Sequence, residues 1–452
     1  MKQNRAEINN IVLLIVTVIF AVIVFKFVGL SPKIAIAVFG IAFFFLAFSN
    51  TDLALIFLVF SMLLSPELTI AQVPSRSVVV RIDDVLLIAI FLGWLAKTAM
   101  NKELGLLKHT PLNSLMVAYI AVCIITTLLG IMRSDINPPK SFFYIIKYIE
   151  YFLLYFMVTN NIKDKKQVNT FMACFMITAF IVCIYALLTV GKFGRATAPF
   201  EGAEGEPNTL GGYLMFMLAV FGGIFLHTSS RRWQIAIALI APLMVITLLE
   251  TLSRGSYLAF IFMYLVLIIF TRRRKIIIIG ALVLGIVILP LTLPKVMKGV
   301  TKRVTYTFSG RIKYKTVGHE VALDKSAASR IENWKNVIQK LRKYPFFGYG
   351  VTGVGLVDIQ YPRVLGETGI IGFLIFIWLL IRILSLSSHN LSLANDELSQ
   401  GITFGFLAGF IGLLIHSFSA NTFIIVRIME PFWFMTAIVA VLPNLEMVQL
   451  TQ

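Results

Sequence analysis

The sequence predicts an all-α polytopic membrane protein of about 12–14 transmembrane helices, with a large outer loop containing an amphipathic helix. Three observations predict it. Apolar residues make up 58% of the 452 residues and charged residues only 14%, against roughly 25% charged in soluble domains. The mean hydropathy is +0.88. The apolar residues gather into runs of the length of a membrane-crossing helix, about 20 residues, without the period-two alternation of a β-barrel. Backbone polar groups in lipid must be paired within their own segment, so these runs are helices.

The runs that qualify as spans are 11–29, 33–49, 52–65, 84–98, 112–131, 141–159, 168–190, 208–227, 233–250, 253–270, 275–293, 365–385, 402–418 and 424–443. The first follows a short polar start with Lys2 and Arg5. No small-residue cleavage site comes after it, so it reads as a span rather than a signal peptide. The interruption at 49–52 is short enough for a tight helical hairpin. Lysine and arginine in short connections orient the chain. Lys2, Arg5, Lys97, Lys102, Lys108, Lys163, Lys165, Lys166, Arg231, Arg232, Arg272, Arg273, Arg274, Lys275 and Arg382 all fall on one side, which is then cytoplasmic, as are both termini. The other side receives 66–83, 132–140, 191–207, 294–364 and 419–423. The chain thus divides into spans 1–11 (1–293, N-terminus cytoplasmic), a basic outer loop (294–364), and spans 12–14 (365–452, C-terminus cytoplasmic). Cys123, Cys174 and Cys183 sit in apolar runs without metal-ligand or disulfide spacing and read as packing residues.

The outer loop stands apart. Its 71 residues hold fourteen Lys and Arg against Glu320, Asp324, Glu332 and Asp358, a net +10 of the chain's +18. Such charge suits an anionic substrate or anionic lipid headgroups; a merely solvated loop is the alternative. Within it, 326–344 has helical periodicity. Ile331, Trp334, Ile338 and Leu341 share a face beside Val337, and Arg330, Lys335, Lys340, Arg342 and Lys343 lie largely elsewhere. That is the pattern of a helix lying on a membrane surface. Pro345 ends it. A glycine-rich segment, 346–355, leads on to Asp358.

Walker, dinucleotide-fingerprint, HExxH and CxxC motifs are absent from the sequence. Polar residues near the outer ends of spans are the functional candidates instead. Arg254, in 250–256, offers a guanidinium able to grip phosphate through two bonds, or it pairs locally with Glu250. Arg195 opens the loop 195–208, which carries three glutamates and ends on Pro207-Asn208; an ordinary connection is the alternative. His416, Asn421, Arg427 and Glu430 lie at the ends of the last two spans, with Glu430 one turn from Arg427 as its candidate partner. Asp83 and Asp84, beside Arg81 and Arg76, read as helix-start carboxylates. Asp358, Tyr361, Arg363 and Glu367 cluster at the mouth of the twelfth span. Desolvation would bring Asp358 into general-base range; a capping role with an Arg363–Glu367 pair is the alternative. All these clusters share one side. Cations with a carboxylate there suit a lipid-linked phosphate or diphosphate. The carboxylate would take a proton from an attacking hydroxyl.

Four stretches resemble the O-antigen ligase and O-antigen polymerase family of bacterial polysaccharide enzymes. They are Arg195 running into Pro207-Asn208-Thr209-Leu210-Gly211; Thr251-Leu252-Ser253-Arg254-Gly255-Ser256; Arg330 and Trp334 followed by Tyr344-Pro345-Phe346-Phe347-Gly348-Tyr349-Gly350, Tyr361, Leu365 and Glu367-Thr368-Gly369-Ile370-Ile371-Gly372; and His416 through Asn421, Arg427 and Trp433. The likeness covers roughly residues 30–440. Ligases of that family carry a histidine in the pattern His-Asn-x-Tyr-Leu-xx-Leu-x-Glu. Here Tyr361, Leu365 and Glu367 match, and Asp358 stands at the histidine's place. An aspartate base in a long outer loop is also what glycan-polymerising enzymes of the peptidoglycan-building class look like.

The resemblance implies a metal-independent, lipid-carrier-dependent glycosyltransferase without cofactor. It would sit in the bacterial cytoplasmic (inner) membrane with its active site facing outward. It would move glycan from an undecaprenyl-diphosphate-linked oligosaccharide donor to a hydroxyl of a lipid or glycan acceptor, among membrane lipids and without nucleic acid. Asp358, Arg254 and Tyr361 would be catalytic. Arg195, Arg254, Arg330, Arg363, Glu367, His416 and Arg427 would hold diphosphate or glycan. A transporter or flippase is the second reading. Against it, no span shows a clear midplane charged pair or paired broken helices. A scaffold is the third, opposed by the shortness of the cytoplasmic connections.

Overall fold

The computed structural model describes residues 32–450, apart from 74–75, 101–107, 202–204, 272–273, 309–311 and 317–318. The expected span 11–29 lies outside the described residues. Every later run is a helix. These are α1 (Pro32–Ser49), α2 (Thr51–Leu64), α3 (Ile82–Met100), α4 (Asn113–Met132), α5 (Pro138–Asn161), α6 (Lys165–Phe193), α7 (Pro207–His227), α8 (Arg231–Glu250), α9 (Arg254–Phe270) and α10 (Lys275–Thr292). After the long connection come α13 (Gln360–Leu393), α14 (Glu397–His416) and α15 (Val426–Leu450). Among the described residues, nine helices are long and apolar enough to cross a membrane; α2, α9 and the Ala37–Ser49 part of α1 are apolar but shorter. The chain is a polytopic all-α membrane protein. It carries two short antiparallel hairpins, β1 (Glu67–Val73) with β2 (Arg76–Arg81) and β3 (Ile312–Thr316) with β4 (His319–Leu323).

Local chemistry sets the helix starts. Asn50, Asp164, Ser253, Asp324 and Asp396 each accept a backbone N–H from the first turn, satisfying donors that lipid leaves stranded. The centre is the α7–α14 pair. Gly401, Gly405 and Gly409 recur every four residues on α14 and lie against α7. A Cβ on Gly405 would sit 2.5 Å from the Ala219 carbonyl oxygen, and one on Gly223 would sit 2.3 Å from that of Gly401. Backbone-to-backbone approach of this kind holds helices together where lipid removes the hydrophobic drive. Phe216, Phe406, Phe410 and Phe432 close the seam. α10, by contrast, presents nearly all of its isoleucines, valines and leucines outward, as a lipid-facing helix does.

The long connection holds more structure than its sequence suggested. α11 (Pro294–Thr305) and a 3-10 turn at Tyr306–Phe308 precede the β3–β4 hairpin, and α12 (Lys325–Leu341) follows it. α12 packs on α13. Ala328 and Val337 are buried, whereas Ile338 is 51% exposed, so the face turned inward is centred on Val337, which meets Val354, Val357 and Ile359. Of the expected apolar face, Trp334 packs beside Val337 against this cluster, while Ile338 points away from it.

α13 is broken at Gly369, whose φ of 66° and ψ of −170° lie in a region open essentially to glycine alone. The break exchanges hydrogen bonds with the glycine-rich loop. Ile370 and Ile371 N–H donate to the Pro345 and Phe346 carbonyls, and Tyr349 and Gly350 N–H donate to the Gly366 and Glu367 carbonyls. Two donors and two acceptors of the helix are taken up by the loop in this way, which ties Tyr344–Gly350 to Glu367–Gly372.

A second expectation is corrected in α5. Lys147 and Glu150 lie mid-helix, both buried and 2.9 Å apart, so one span does carry an interior charged pair. Lys147 also reaches Asp84 at 2.5 Å.

Candidate active site at one end of the bundle

All five connections assigned to the same side meet at a cavity of about 610 Å³. Arg81 comes from the first, Lys140 from the second with Tyr144 just inside α5, and Glu201 to Pro207 from the third. Ser326, Ser329, Arg330, Asp358 and Arg363 come from the fourth, and Ser419 to Asn421 from the fifth, with Arg427 beside them. Residues as far apart in sequence as Arg81 and Arg427 thus share one polar chamber in an otherwise apolar molecule.

Four expected residues line it: Asp358, Arg330, Arg363 and Arg427. Asp358 stands exposed at the rim, so it is not the desolvated carboxylate expected. Arg363 is held by Glu367 at 3.0 Å, as the i,i+4 spacing predicted, and lies 4.9 Å from the Tyr144 ring centre. Glu367 is itself buried and accepts the Thr352 N–H at 2.8 Å; it shapes the wall rather than facing the chamber. Arg427 does not pair with Glu430. It donates to the carbonyls of Leu63, Pro199 and Phe200 and lies 3.8 Å from Glu201.

The others lie behind the wall. Arg254 pairs with Asp324 at 2.9 Å and donates to Thr307 at 2.7 Å; Glu250 is not its partner. Arg195 donates to the Thr251 and Leu252 carbonyls, bracing the turn that presents Arg254. Tyr361 donates to the Leu414 carbonyl at 2.8 Å and packs on Phe418. His416 is wholly buried between Ser256 (3.2 Å) and Thr422 (2.8 Å). A chain of side chains joins it to the chamber, since Ser256 meets Ser253 at 2.8 Å and Ser253 donates to Asn208 on the wall at 2.7 Å.

The electrostatics separate two zones. Arg195, Arg254, Arg303 and Arg330 crowd together. Burial lowers the proton affinity of Arg195 and Arg330, and the neighbouring guanidinium groups of Arg254 and Arg303 lower it further. Burial opposes ionisation of Asp324, but its bonds from Arg254 and the Ala327 N–H hold it below the usual carboxylate range. Arg303 Nε is buried without a hydrogen-bond partner. Crowded like charges with a spare donor are relieved by a multivalent anion. In the chamber, Glu201 shows the opposite behaviour. Burial pushes it up to about 7 against the pull of Arg427 and the N–H groups of Glu206 and Ala198.

Sequence reasoning missed Lys140, Tyr144, Glu201 and Arg303 as individuals. Lys147 and Glu150 carried a usable signal, since charges inside an apolar helix are expensive. Arg303 carried none beyond its place in a basic loop.

No curated protein matches the chain. Residues 237–377, from α8 through the first half of α13, match the family model described as O-Antigen ligase. That stretch holds Arg254, Arg303, Asp324, Arg330, Asp358, Arg363 and the Gly369 break, so the similarity to O-antigen ligases covers most of the arginine cluster and half of the chamber.

Proposed function

We propose that this protein is a membrane glycosyltransferase of the polysaccharide polymerase or O-antigen ligase type. It moves glycan from an undecaprenyl-diphosphate-linked donor to an acceptor hydroxyl at the outer face of the bacterial cytoplasmic membrane. The observation that carries the reading is the convergence of Asp358 with Arg330, Arg363 and Arg427 on one chamber, backed by the cluster of Arg195, Arg254 and Arg303. The positive-inside distribution of short-loop cations supports the outward orientation.

The division of labour in this reading is supported by where the residues lie. Arg254, Arg303 and Arg330 take the diphosphate and offset the negative charge that develops on it as undecaprenyl diphosphate departs, without a metal ion at the reacting atoms. Asp358, at the rim, accepts the proton of the acceptor hydroxyl as its oxygen attacks the anomeric carbon. The new C–O bond forms as the bond from that carbon to the phosphate oxygen breaks. Tyr361, Glu367, His416 and Arg195 position this machinery through the bonds described above. Lys140, Glu206 and Asn208 offer polar contacts to sugar hydroxyls. Asp358 in place of the ligase histidine favours polymerase over ligase.

The test is reconstitution. Purified protein in lipid, given undecaprenyl-diphosphate-linked oligosaccharide, produces a ladder of longer lipid-linked chains if it is a polymerase. It transfers glycan to an added non-carrier acceptor if it is a ligase. No release of undecaprenyl diphosphate with any acceptor, the donor included, refutes the reading. The buried Lys147–Glu150 pair and the broken α13 favour a flippase as the second reading. Appearance of the donor in the opposite leaflet of vesicles would select it.

A further inference from the structure

We infer that Asp83, Asp84 and Glu430, together with the Ser65 hydroxyl, hold a divalent cation that binds oxygen ligands, calcium before magnesium. One oxygen from each carboxylate lies within 4.8 Å of the others. Oxygens around calcium sit at about 2.3–2.6 Å from the ion, so opposed ligands are at most about 5 Å apart. One ion therefore reaches all three. Ser65, the residue that ends α2, is only 1% exposed. Its hydroxyl faces Asp83 and makes no hydrogen bond of ordinary geometry. Glu430 Oε2 is likewise buried and without a partner. Ser65 thus reaches Asp83 from the end of one helix, and Glu430 brings a carboxylate oxygen within 4.8 Å of it from another, distant in sequence.

Charge points to the same ligand. Among the described residues this pocket of the core holds four buried carboxylates, Asp83, Asp84, Glu150 and Glu430, and two buried cations, Arg81 and Lys147. Arg81 pairs with Asp83 at 2.7 Å, and Lys147 with Asp84 and Glu150. Two negative charges remain, and burying uncompensated charge away from water is prohibitive. One divalent ion balances them. All the ligating atoms are oxygens, which suits hard cations rather than zinc or copper. Calcium fits better than magnesium because it accepts irregular carboxylate sets, whereas magnesium keeps waters in a near-octahedral shell. The ligands come from the end of α2, the first turn of α3 and the first turns of α15. None of them lines the glycan chamber, although Arg81 does. The ion would pin three helices behind the chamber wall.

The test uses the full chain in detergent, stripped with chelator and titrated with calcium or magnesium chloride in the absence of any glycan. Bound metal is counted by mass spectrometry and the melting midpoint is followed. The expected result is one calcium per chain, a midpoint that rises and saturates with calcium, and weaker stabilisation by magnesium. Glu430→Gln should weaken calcium binding by about 100-fold and Ser65→Ala by about 10-fold. Calcium that neither binds nor stabilises the wild type overturns the inference. A midpoint indifferent to metal but falling as pH rises means that protons balance the charge, which also overturns it. Should Glu430→Gln fail to fold, Ser65→Ala decides alone, and unchanged affinity in that variant refutes the site. Because no turnover is read, the result is independent of the proposed glycosyl transfer.

Discussion

Replacing Gly369 by alanine tests whether the broken helix and the glycine-rich loop are one structural unit. Holding alanine at φ 66°, ψ −170° costs about 1–3 kcal/mol. Its Cβ would stand 2.3 Å from the Phe346 carbonyl oxygen and 2.6 Å from the Phe347 nitrogen, both backbone atoms. The loop must back away. The bonds from Ile370 to Pro345 and from Ile371 to Phe346 then stretch, at about 1 kcal/mol each. The sum is about 3–5 kcal/mol. At this chain length that corresponds to roughly 1 °C per kcal/mol, so the melting midpoint in mild detergent should fall by about 3–5 °C. Turnover should fall with it, since the loop carries Thr352 to the chamber wall. Gly191→Ala is the control. A Cβ there meets nothing within 4 Å, and the change should leave the midpoint unchanged or raise stability by about 0.5–1 kcal/mol. If Gly369→Ala melts with the wild type, the exchange of hydrogen bonds does not hold this end of the molecule together.

Three further predictions concern the chamber. Arg254→Ala should lower glycan transfer about 10²–10³-fold while the protein still inserts and elutes as a single species; turnover at the wild-type rate would remove Arg254 from the diphosphate. Asp358→Asn should lower kcat about 10²–10⁴-fold, and a change confined to KM would leave it a positioning residue. Glu201 is held up to about 7 from 4.5 by burial, so the folded state keeps a proton that the unfolded chain gives up. Its stabilising contribution is complete below about pH 4.5 and is lost as pH rises through about 7. Glu201→Gln should flatten the fall in melting midpoint between pH 5 and pH 8, and an equal fall in the variant would show that another group titrates.

The spans were legible because lipid leaves so few options: apolar runs of sufficient length had to be helices, and every run within the described residues is one. The side on which the polar connections gather was legible from lysine and arginine counts, and those connections do meet. Pairing was not. Local spacing suggested Glu250 for Arg254 and Glu430 for Arg427, yet the partners are Asp324 and Glu201, seventy and more than two hundred residues away. Spacing along one helix found the Arg363–Glu367 pair because both residues share that helix. It had no purchase on contacts made by chain crossing. The inward face of α12 is centred on Val337, which the periodicity put at the edge of the apolar face with Trp334, because its partner is a loop of valines that no periodicity within the helix reveals.

The seam between α7 and α14 bears on how material can move through this molecule. Alternating access requires two halves to part along an internal plane. Here much of the plane through the centre is occupied by glycines in direct contact with a neighbouring main chain, and the packed phenylalanines beside them close the rest. A hydrophilic sugar chain taking that route would have to separate two backbones and strand them in hydrocarbon. The centre is built as a fixed post rather than as a parting plane.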